Sequence, residues 1–505
     1  MPSRRIRKQS VPPPKLVGIL TCFFFSGAAG LIYQVAWAKA LALIFGHTTY
    51  AVATVLAVFM AGLAAGSAYL GTWGGQHARP VALYARIEFL VAITATLSLA
   101  GLAAVRTLYV TAYPAAGGSQ PLLLALRFLG TTLVLFIPTF LMGGTFPVLV
   151  SSVARDSAQI GIRVSQLYWV NTLGAVAGTL ISGFVLLPAS GLRLTIVCGA
   201  AINALAGLIA IRLAKETGIA AGVAPSRATS ADQESQNSTS HFLLFLFAIV
   251  GCTAFAYEIA WTRLLAITLG SSTYAFTLML ATFLAGTVIG SVLFQRFVAI
   301  SVRISIATLS RTQLGLGTAA VLSLILFRWI PALIPLLLRT TDQTFGGLVL
   351  TQSVTSAITL IPLATIFGFN FPLFLVLLSR GADGGSSNAA AIGRAYAANT
   401  LGAIVGSVIT GFWLVPLVGS FRVIAAAAAV NVLLALILDL RQQRRVLPLS
   451  LDLACLVIAF VVASSTFFYN QSLLSFSAAL YGNSYGGRLT LDEIAATKDL
   501  VYRFN

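Results

Sequence analysis

The stretch AYEIAWTRLLAITLG, residues 256–270, decides the fold because the chain contains it twice. Residues 32–46 read IYQVAWAKALALIFG, and the two stretches align without a gap, so that Tyr33 lies 224 residues before Tyr257. Each copy reads as an apolar helix interrupted by a few polar side chains. A constant offset over a stretch of this length indicates an internal duplication.

The composition predicts a membrane protein. Of 505 residues, 58% are hydrophobic and only 9% are charged, and the mean hydropathy is +0.94. This is too little polar surface to cover a soluble globule of this size. The net charge of +18 does not indicate nucleic-acid binding, because many basic residues lie in short connections between apolar runs, where they orient helices. The expected partner is therefore the lipid bilayer.

Apolar segments near or above the roughly 20 residues needed to cross a bilayer recur along the chain in two sets of six. Because six is an even number, both sets enter the membrane from the same side. The sequence thus predicts an all-α polytopic membrane protein of two parallel six-helix repeats plus an additional C-terminal transmembrane helix. Its parts are a basic N-terminus (1–15), the first repeat (16–213), a flexible linker (214–240), the second repeat (241–440), the extra helix (448–468) and a tail (469–505).

The distribution of positive charge predicts the orientation. Eighteen lysines and arginines fall at the N-terminus or in connections on its side of the membrane, and five fall on the opposite side. Cytoplasmic loops carry the excess of basic residues. We therefore expect a multi-pass protein of the bacterial inner membrane with a cytoplasmic N-terminus.

The fourth and fifth helices of the two repeats also match. Residues 142–147 (MGGTFP) and 367–372 (FGFNFP) are expected to interrupt the fourth helix, although a proline kink that only shapes the bundle is the simpler reading. In the fifth helix a Tyr-x-x-Asn-Thr-Leu-Gly-Ala motif recurs, with Asn171 and Asn399 as amides that could cap broken backbone or bind a ligand. The glycines that come after these amides favour close helix packing.

Glu258 is the sharpest candidate for a functional residue, since an ionisable side chain within a membrane span is costly unless it faces a cavity or a partner. Tyr257 and Trp261 lie near it on the same helix. Two interpretations stay open: a substrate or proton site in a central cavity, or a tertiary salt bridge or helix-end charge. The first copy has Gln34 at the position of Glu258. The acid of the first copy is instead Glu88 on the third helix, which aligns with Gln313 in the second copy.

The sequence contains no recognisable catalytic or metal-binding arrangement. Its three histidines, His47, His77 and His241, are far apart, and its four cysteines lie in apolar runs without metal-ligand spacing. We expect the chain to bind no cofactor and no metal. We also expect that it is not an enzyme by itself.

The motif Tyr-Glu-x-x-Trp-x-Arg-x-Leu from Tyr257, and Gly-Arg-x-Tyr-Ala-x-Asn-Thr-Leu-Gly-Ala from Gly393, resemble the membrane part of bacterial fused transporter-like/spermidine synthase-like proteins. The resemblance covers about residues 16–440. It implies a major facilitator-like membrane module that precedes an aminopropyltransferase-like domain. Residues 492–505 resemble the lead-in to that domain, whose catalytic residues this chain does not contain.

The residues and the resemblance support two functional hypotheses. In the first, the module moves or presents a small polar or cationic, polyamine-like metabolite. In the second, it is a non-transporting scaffold that anchors a separately encoded, soluble aminopropyltransferase-like enzyme through the tail. The candidate substrate-binding residues are Glu258, Glu88, Tyr257, Trp261, Gln34, Tyr33, Trp37, Asn171, Asn399, Tyr168 and Tyr396.

Overall fold

A computed structural model gives the fold of the chain between residues 14 and 442. It describes this range except for residues 47–48, 76, 116–118, 154–159, 218–229, 270–272, 300–303 and 380–384 and most of 328–343. The extra helix expected at 448–468 and the tail at 469–505 lie outside the described residues. So do residues 1–13 and the central part of the expected linker.

Long α-helices make up nearly all of the described chain, in which no strand occurs. The helices are α1 (Pro14–Phe45), α2 (Thr49–Gly75), α3 (Pro80–Ala115), α4 (Gln120–Val153), α5 (Ile160–Ile181), α6 (Leu187–Thr217), α7 (Ser230–Leu269), α8 (Thr273–Ala299), α9 (Ile306–Phe327), α10 (Phe345–Ser379), α11 (Gly385–Ile409) and α12 (Ser420–Arg441). The prediction of an all-α polytopic protein is confirmed.

The described helices are long and apolar enough for twelve membrane crossings. Eleven helical stretches are long and apolar enough to span a bilayer, and one of them, Ile162–Lys215, has 54 residues. At 1.5 Å per residue this stretch is about 80 Å long, well over twice the hydrocarbon thickness. It bends at Gly191, whose φ of 71° is disfavoured for residues with a side chain, so it supplies two crossings.

The second repeat has the same bend at the equivalent place. Gly419, with a φ of 79°, separates the one-turn helix Val415–Val418 from α12. In both repeats a π-helical segment comes just before the bend, Ser182–Leu186 in the first and Thr410–Leu414 in the second. The duplication read from the sequence therefore extends to irregular backbone, which sequence patterns alone do not specify.

Within each half, glycines let helices pack at backbone distance. A Cβ at Gly174 of α5 would lie 2.0 Å from the Phe24 carbonyl oxygen of α1, and a Cβ at Gly402 of α11 would lie 1.7 Å from the Ala248 carbonyl oxygen of α7. Only glycine fits at such separations. The two halves meet where α2 packs on α11 and α5 packs on α8, whereas α1 and α7 share no extended packing interface.

The fourth helix of each repeat is continuous, contrary to the expected interruption. Helix α4 runs through Pro147 and α10 runs through Pro372. The glycines before these prolines serve close packing instead: a Cβ at Gly143 would lie 2.2 Å from a carbonyl oxygen of α2, and one at Gly368 would lie 2.0 Å from a carbonyl oxygen of α8. Tertiary contact with a neighbouring helix thus holds the helical path where local composition favours a break.

The outer surface and the helix ends agree with a membrane setting. Large apolar side chains such as Leu97, Leu133 and Phe245 are more than 60% exposed, as expected for residues that contact lipid. At the linker, helix α6 continues to Thr217 and α7 begins at Ser230, so both extend into the range 214–240 that composition assigned to a flexible linker.

Candidate functional site

Seven aromatic rings join the two halves near the N-terminal face, by which we mean the end of the bundle where α1 begins. This central aromatic cluster consists of Phe23, Phe146, Tyr168, Phe247, Phe371, Phe374 and Tyr396. Tyr168 of the first half stacks on Phe371 of the second at 4.2 Å between ring centroids. Phe146 contacts Tyr396 at 5.9 Å and Phe371 at 6.3 Å, also between halves. The cluster closes the space between the halves at this level.

Polar contacts between the halves lie at the same end of the bundle. The Ser165 hydroxyl on α5 donates to the carbonyl oxygen of Ser291 on α8 at 2.9 Å, and the two hydroxyl oxygens are 3.3 Å apart. One turn further along α5, Trp169 Nε1 donates a hydrogen bond to Gln295 Oε1 of α8 at 2.8 Å. We call these α5–α8 contacts, together with their α2–α11 counterpart, the N-face seam.

The second side of the N-face seam repeats the first by the internal symmetry. On α2, the Ser67 hydroxyl donates to the carbonyl oxygen of Gly393 on α11 at 3.4 Å. Ser67 occupies the position equivalent to Ser291, and Gly393 the position equivalent to Ser165. The two halves are therefore in contact at the N-terminal face along both interfaces, α5–α8 and α2–α11.

Glu258 lies on the face of α7 that points between the halves. It comes 11 residues after Phe247, a member of the central aromatic cluster. Eleven residues are three helical turns plus about 20°, and they advance the helix by about 16 Å. Glu258 is thus on the same face as Phe247 and farther along α7, within the apolar stretch Ser240–Ala266. Its side chain is partly exposed, and among the described residues it makes no hydrogen bond or ion pair.

Tyr257 and Trp261 point away from Glu258, into the packed interior of the second half. The Tyr257 ring is fully buried, and its hydroxyl accepts a hydrogen bond from Asn431 Nδ2 of α12 at 3.3 Å. Trp261 is 1% exposed and meets Phe327 of α9 edge-on at 5.3 Å. Both aromatic side chains brace α7 against its neighbours.

The equivalent residues of α1 have a similar arrangement. Tyr33 and Trp37 are fully buried and stack on each other at 5.2 Å. Trp37 Nε1 donates to the Ser98 hydroxyl of α3 at 2.9 Å. Gln34, the counterpart of Glu258, is 8% exposed and carries no charge. The central face is therefore more open and more acidic on α7 than on α1.

Glu88 is not brought to the central face. Its side chain is fully buried within the first half, where its carboxylate oxygen Oε2 accepts a hydrogen bond from Asn203 Nδ2 of α6. Glu258 lies on α7, in the second half. The two carboxylates that the sequence singled out accordingly occupy separate environments.

Asn171 and Asn399 tie helices together within each half. Asn171 Nδ2 donates to the Phe23 carbonyl oxygen at 3.0 Å, and Asn399 Nδ2 donates to the Phe247 carbonyl oxygen at 3.1 Å. Each amide thus holds the first helix of its repeat against the fifth. Both acceptors belong to the central aromatic cluster, so these amides position that cluster.

Sequence reasoning identified Tyr168 and Tyr396 but missed the phenylalanines around them. Phe23 and Phe247 stand 224 residues apart, and Phe146 and Phe371 stand 225 apart. A search for aromatic residues repeated at the duplication offset would have found both pairs. Phenylalanine is so common in membrane helices that only this recurrence distinguishes them.

The two six-helix halves, joined by the helix pairs α2–α11 and α5–α8, make up a polytopic membrane protein. Its fold is of the major facilitator type. The nucleoside transporter NupG matches it with a TM-score of 0.50 and 14% identity over 86% of this chain and all of that one. A bacterial homologue of the iron transporter ferroportin, in an outward-facing state, matches with a TM-score of 0.57 and 15% identity over 86% of this chain and all of that one. No family model matches the sequence, and no curated protein matches it.

Proposed function

We propose that the protein transports a small polar or cationic metabolite through the space between its two halves, with Glu258 as the contact for positive charge. The observation that carries this proposal is the position of Glu258: it is partly exposed on the central face of α7 and has no partner among the described residues. A carboxylate within a membrane-spanning helix is costly to keep charged without a counterion. A cationic substrate would supply one.

An amine is the substrate class that fits best. A primary ammonium group offers three donors to a carboxylate and forms a charge-assisted hydrogen bond, which is stronger than a neutral one. Polyamine-like molecules carry such groups on an apolar chain, which suits a path bordered by aromatic rings. The sequence resemblance to spermidine synthase-like fusions points to the same class of substrate.

The N-face seam and the central aromatic cluster support a transport cycle in which the halves rock about a central site. Both sets of contacts join one half to the other at a single end of the bundle. Opening that end would separate these contacts while each half stays together, because each half is held together internally by its own glycine and asparagine contacts. Such rigid-body movement is the usual means of alternating access in transporters built from two repeats.

Uptake into proteoliposomes tests the proposal. The purified full-length protein is reconstituted, and the uptake of labelled putrescine and spermidine is measured against empty vesicles, with a neutral nucleoside as a comparison. We expect uptake of the amines by the natural protein and its loss in Glu258→Gln. A protein that moves none of these compounds, or a Glu258→Gln variant that moves the amines at the natural rate, would refute the assignment.

Asp439→Asn is the matched control. Asp439 is a second carboxylate of the same half, 4% exposed, near the end of α12. Its removal changes the net charge by the same amount but leaves the central face intact. Equal loss of uptake in both variants would assign the effect to charge in general and not to the position of Glu258.

A further inference from the structure

A polar cluster lies buried in the first half, away from the proposed path. Glu88 of α3 is fully buried and Asn203 of α6 is 2% exposed, and one hydrogen bond joins Asn203 Nδ2 to Glu88 Oε2. The other two oxygens of this pair, Glu88 Oε1 and Asn203 Oδ1, have no hydrogen-bond partner in the part of the chain that the structure describes. Both are acceptors, and both are shielded from solvent.

Further oxygen atoms surround the carboxylate. The hydroxyls of Ser26 and Tyr84 interact with Glu88. The Tyr84 hydroxyl is 3.1 Å from the Cys22 carbonyl oxygen, to which it can donate, and it also forms a hydrogen bond with Glu88. The Tyr33 hydroxyl is close enough to Glu88 for an electrostatic interaction, and it is buried without a hydrogen-bond partner among the described residues. The cluster therefore gathers several side-chain oxygen atoms around one buried carboxylate.

No basic side chain balances the charge. Glu88 makes no ion pair with any residue in the described ranges. The nearest arginine in sequence, Arg86, is exposed and lies two residues away, which is about 200° round the helix. A buried carboxylate without a cation is strongly unfavourable, as is a buried acceptor without a donor. One bound cation would relieve both.

The second half provides an internal comparison. At its equivalent positions Gln313 replaces Glu88, and Val250 and Leu309 replace the two hydroxyl residues. Asn431, the counterpart of Asn203, donates to the Tyr257 hydroxyl and accepts from Thr253. The charge and the hydroxyls of Ser26 and Tyr84 thus occur together in one half and are missing together from the other, whereas Tyr33 has a tyrosine, Tyr257, as its counterpart. This covariation between copies indicates a ligand site and not an isolated buried acid.

We propose that this cluster binds a monovalent cation, Na⁺, through Glu88 Oε1 and Asn203 Oδ1, with the hydroxyl oxygens of Ser26, Tyr84 and Tyr33 completing the shell. Hard cations take oxygen ligands. One carboxylate among neutral oxygens provides a single negative charge, which matches a monovalent ion, while dedicated protein sites for Ca²⁺ use several carboxylates. The site lies within one half, so it is separate from the substrate contact at Glu258.

Thermal unfolding of the purified full-length protein tests the site, with Na⁺ itself as the probe. NaCl replaces choline chloride at constant ionic strength and fixed pH, and the unfolding midpoint is recorded for each mixture. A ligand that binds only the folded state raises the midpoint in a saturable way, here by at least about 2 °C. We expect this rise in the natural protein, its loss in Glu88→Gln and its reduction in Asn203→Ala. Direct binding of radioactive sodium is measured on the same samples.

Asp439→Asn again serves as the control, because Asp439 Oδ1 is also buried without a hydrogen-bond partner among the described residues and is the competing site. We expect this variant to keep the full sodium response. Equal midpoints in NaCl and choline chloride, an undiminished response in Glu88→Gln, or loss of the response in Asp439→Asn would each overturn the proposal. Sodium binding is measured without substrate, so its failure would leave the transport proposal standing.

Discussion

Phe371 is the residue on which closure of the N-terminal face most depends, and Phe371→Ala is expected to open it. The substitution removes two ring contacts between the halves, with Tyr168 at 4.2 Å and Phe146 at 6.3 Å. An aromatic pair contributes about 0.5–1.5 kcal/mol beyond its buried area, so the closed state loses about 1–3 kcal/mol. That amount changes the ratio of closed to open molecules by about 5- to 150-fold.

A disulfide across the N-face seam reports this ratio. The hydroxyl oxygens of Ser165 and Ser291 are 3.3 Å apart, so the double variant S165C/S291C places two thiols within reach of a disulfide while the seam is closed. The measurement uses a background in which the four natural cysteines are replaced by serine. We expect mild oxidation to cross-link this protein quickly, and Phe371→Ala to slow the cross-linking by at least about fivefold.

Phe294→Ala is the control for loss of a buried ring. Phe294 is fully buried and contacts Phe369 at 5.2 Å within the second half, so its removal costs packing without touching the seam. Cross-linking should stay fast in this variant. An unchanged rate in Phe371→Ala, or the same slowing in Phe294→Ala, would show that the central aromatic cluster does not hold the two halves together.

Three further outcomes are expected. The oxidised S165C/S291C protein should lose amine uptake and regain it on reduction, as measured in proteoliposomes; uptake that survives complete cross-linking would contradict rocking of the halves. Gly402→Ala should lower the unfolding midpoint because its Cβ would lie 1.7 Å from a carbonyl oxygen of α7, an overpacking that costs about 1–3 kcal/mol, whereas Gly30→Ala, with nothing within 4 Å, should not lower it. Gly191→Ala should destabilise the protein by about 1–3 kcal/mol through its backbone conformation alone (φ 71°, ψ −179°), since its Cβ meets no neighbour, and an unchanged midpoint would refute this.

The twelve described crossings and their division into two halves could be predicted because they depend on quantities that the sequence carries directly. Apolar length decides which segments span a bilayer, and a fixed offset reveals the duplication. The pairing of Asn171 with Asn399 was visible for the same reason. Which helix each amide would bind was not visible, because that depends on the packing of α1 against α5 and of α7 against α11.

The direction of each polar side chain was the harder part of the site. Tyr257 and Glu258 are neighbours in sequence, yet a helix separates adjacent residues by about 100°, and this difference sends one into the packed interior and the other to the central face. Glu88 faces Asn203 because α3 packs on α6, a contact between segments that are over 100 residues apart. Long-range packing of this kind leaves no periodic trace in a single sequence.

The two π-helical segments lie at the end of the bundle opposite the N-terminal face. Ser182–Leu186 and Thr410–Leu414 each hold one residue more than an α-helical turn needs, and a glycine with positive φ lies within a few residues after each of them. Conversion of such a segment to α-helix would rotate the next few residues by about 100°, but only as far as that glycine, where the chain reverses. Phe184, which meets Tyr274 across the α5–α8 line at 5.3 Å, could therefore be turned without moving the helices that carry Glu258. Each repeat thus has a short irregular segment between two straight helices, at the end of the bundle opposite the N-terminal face.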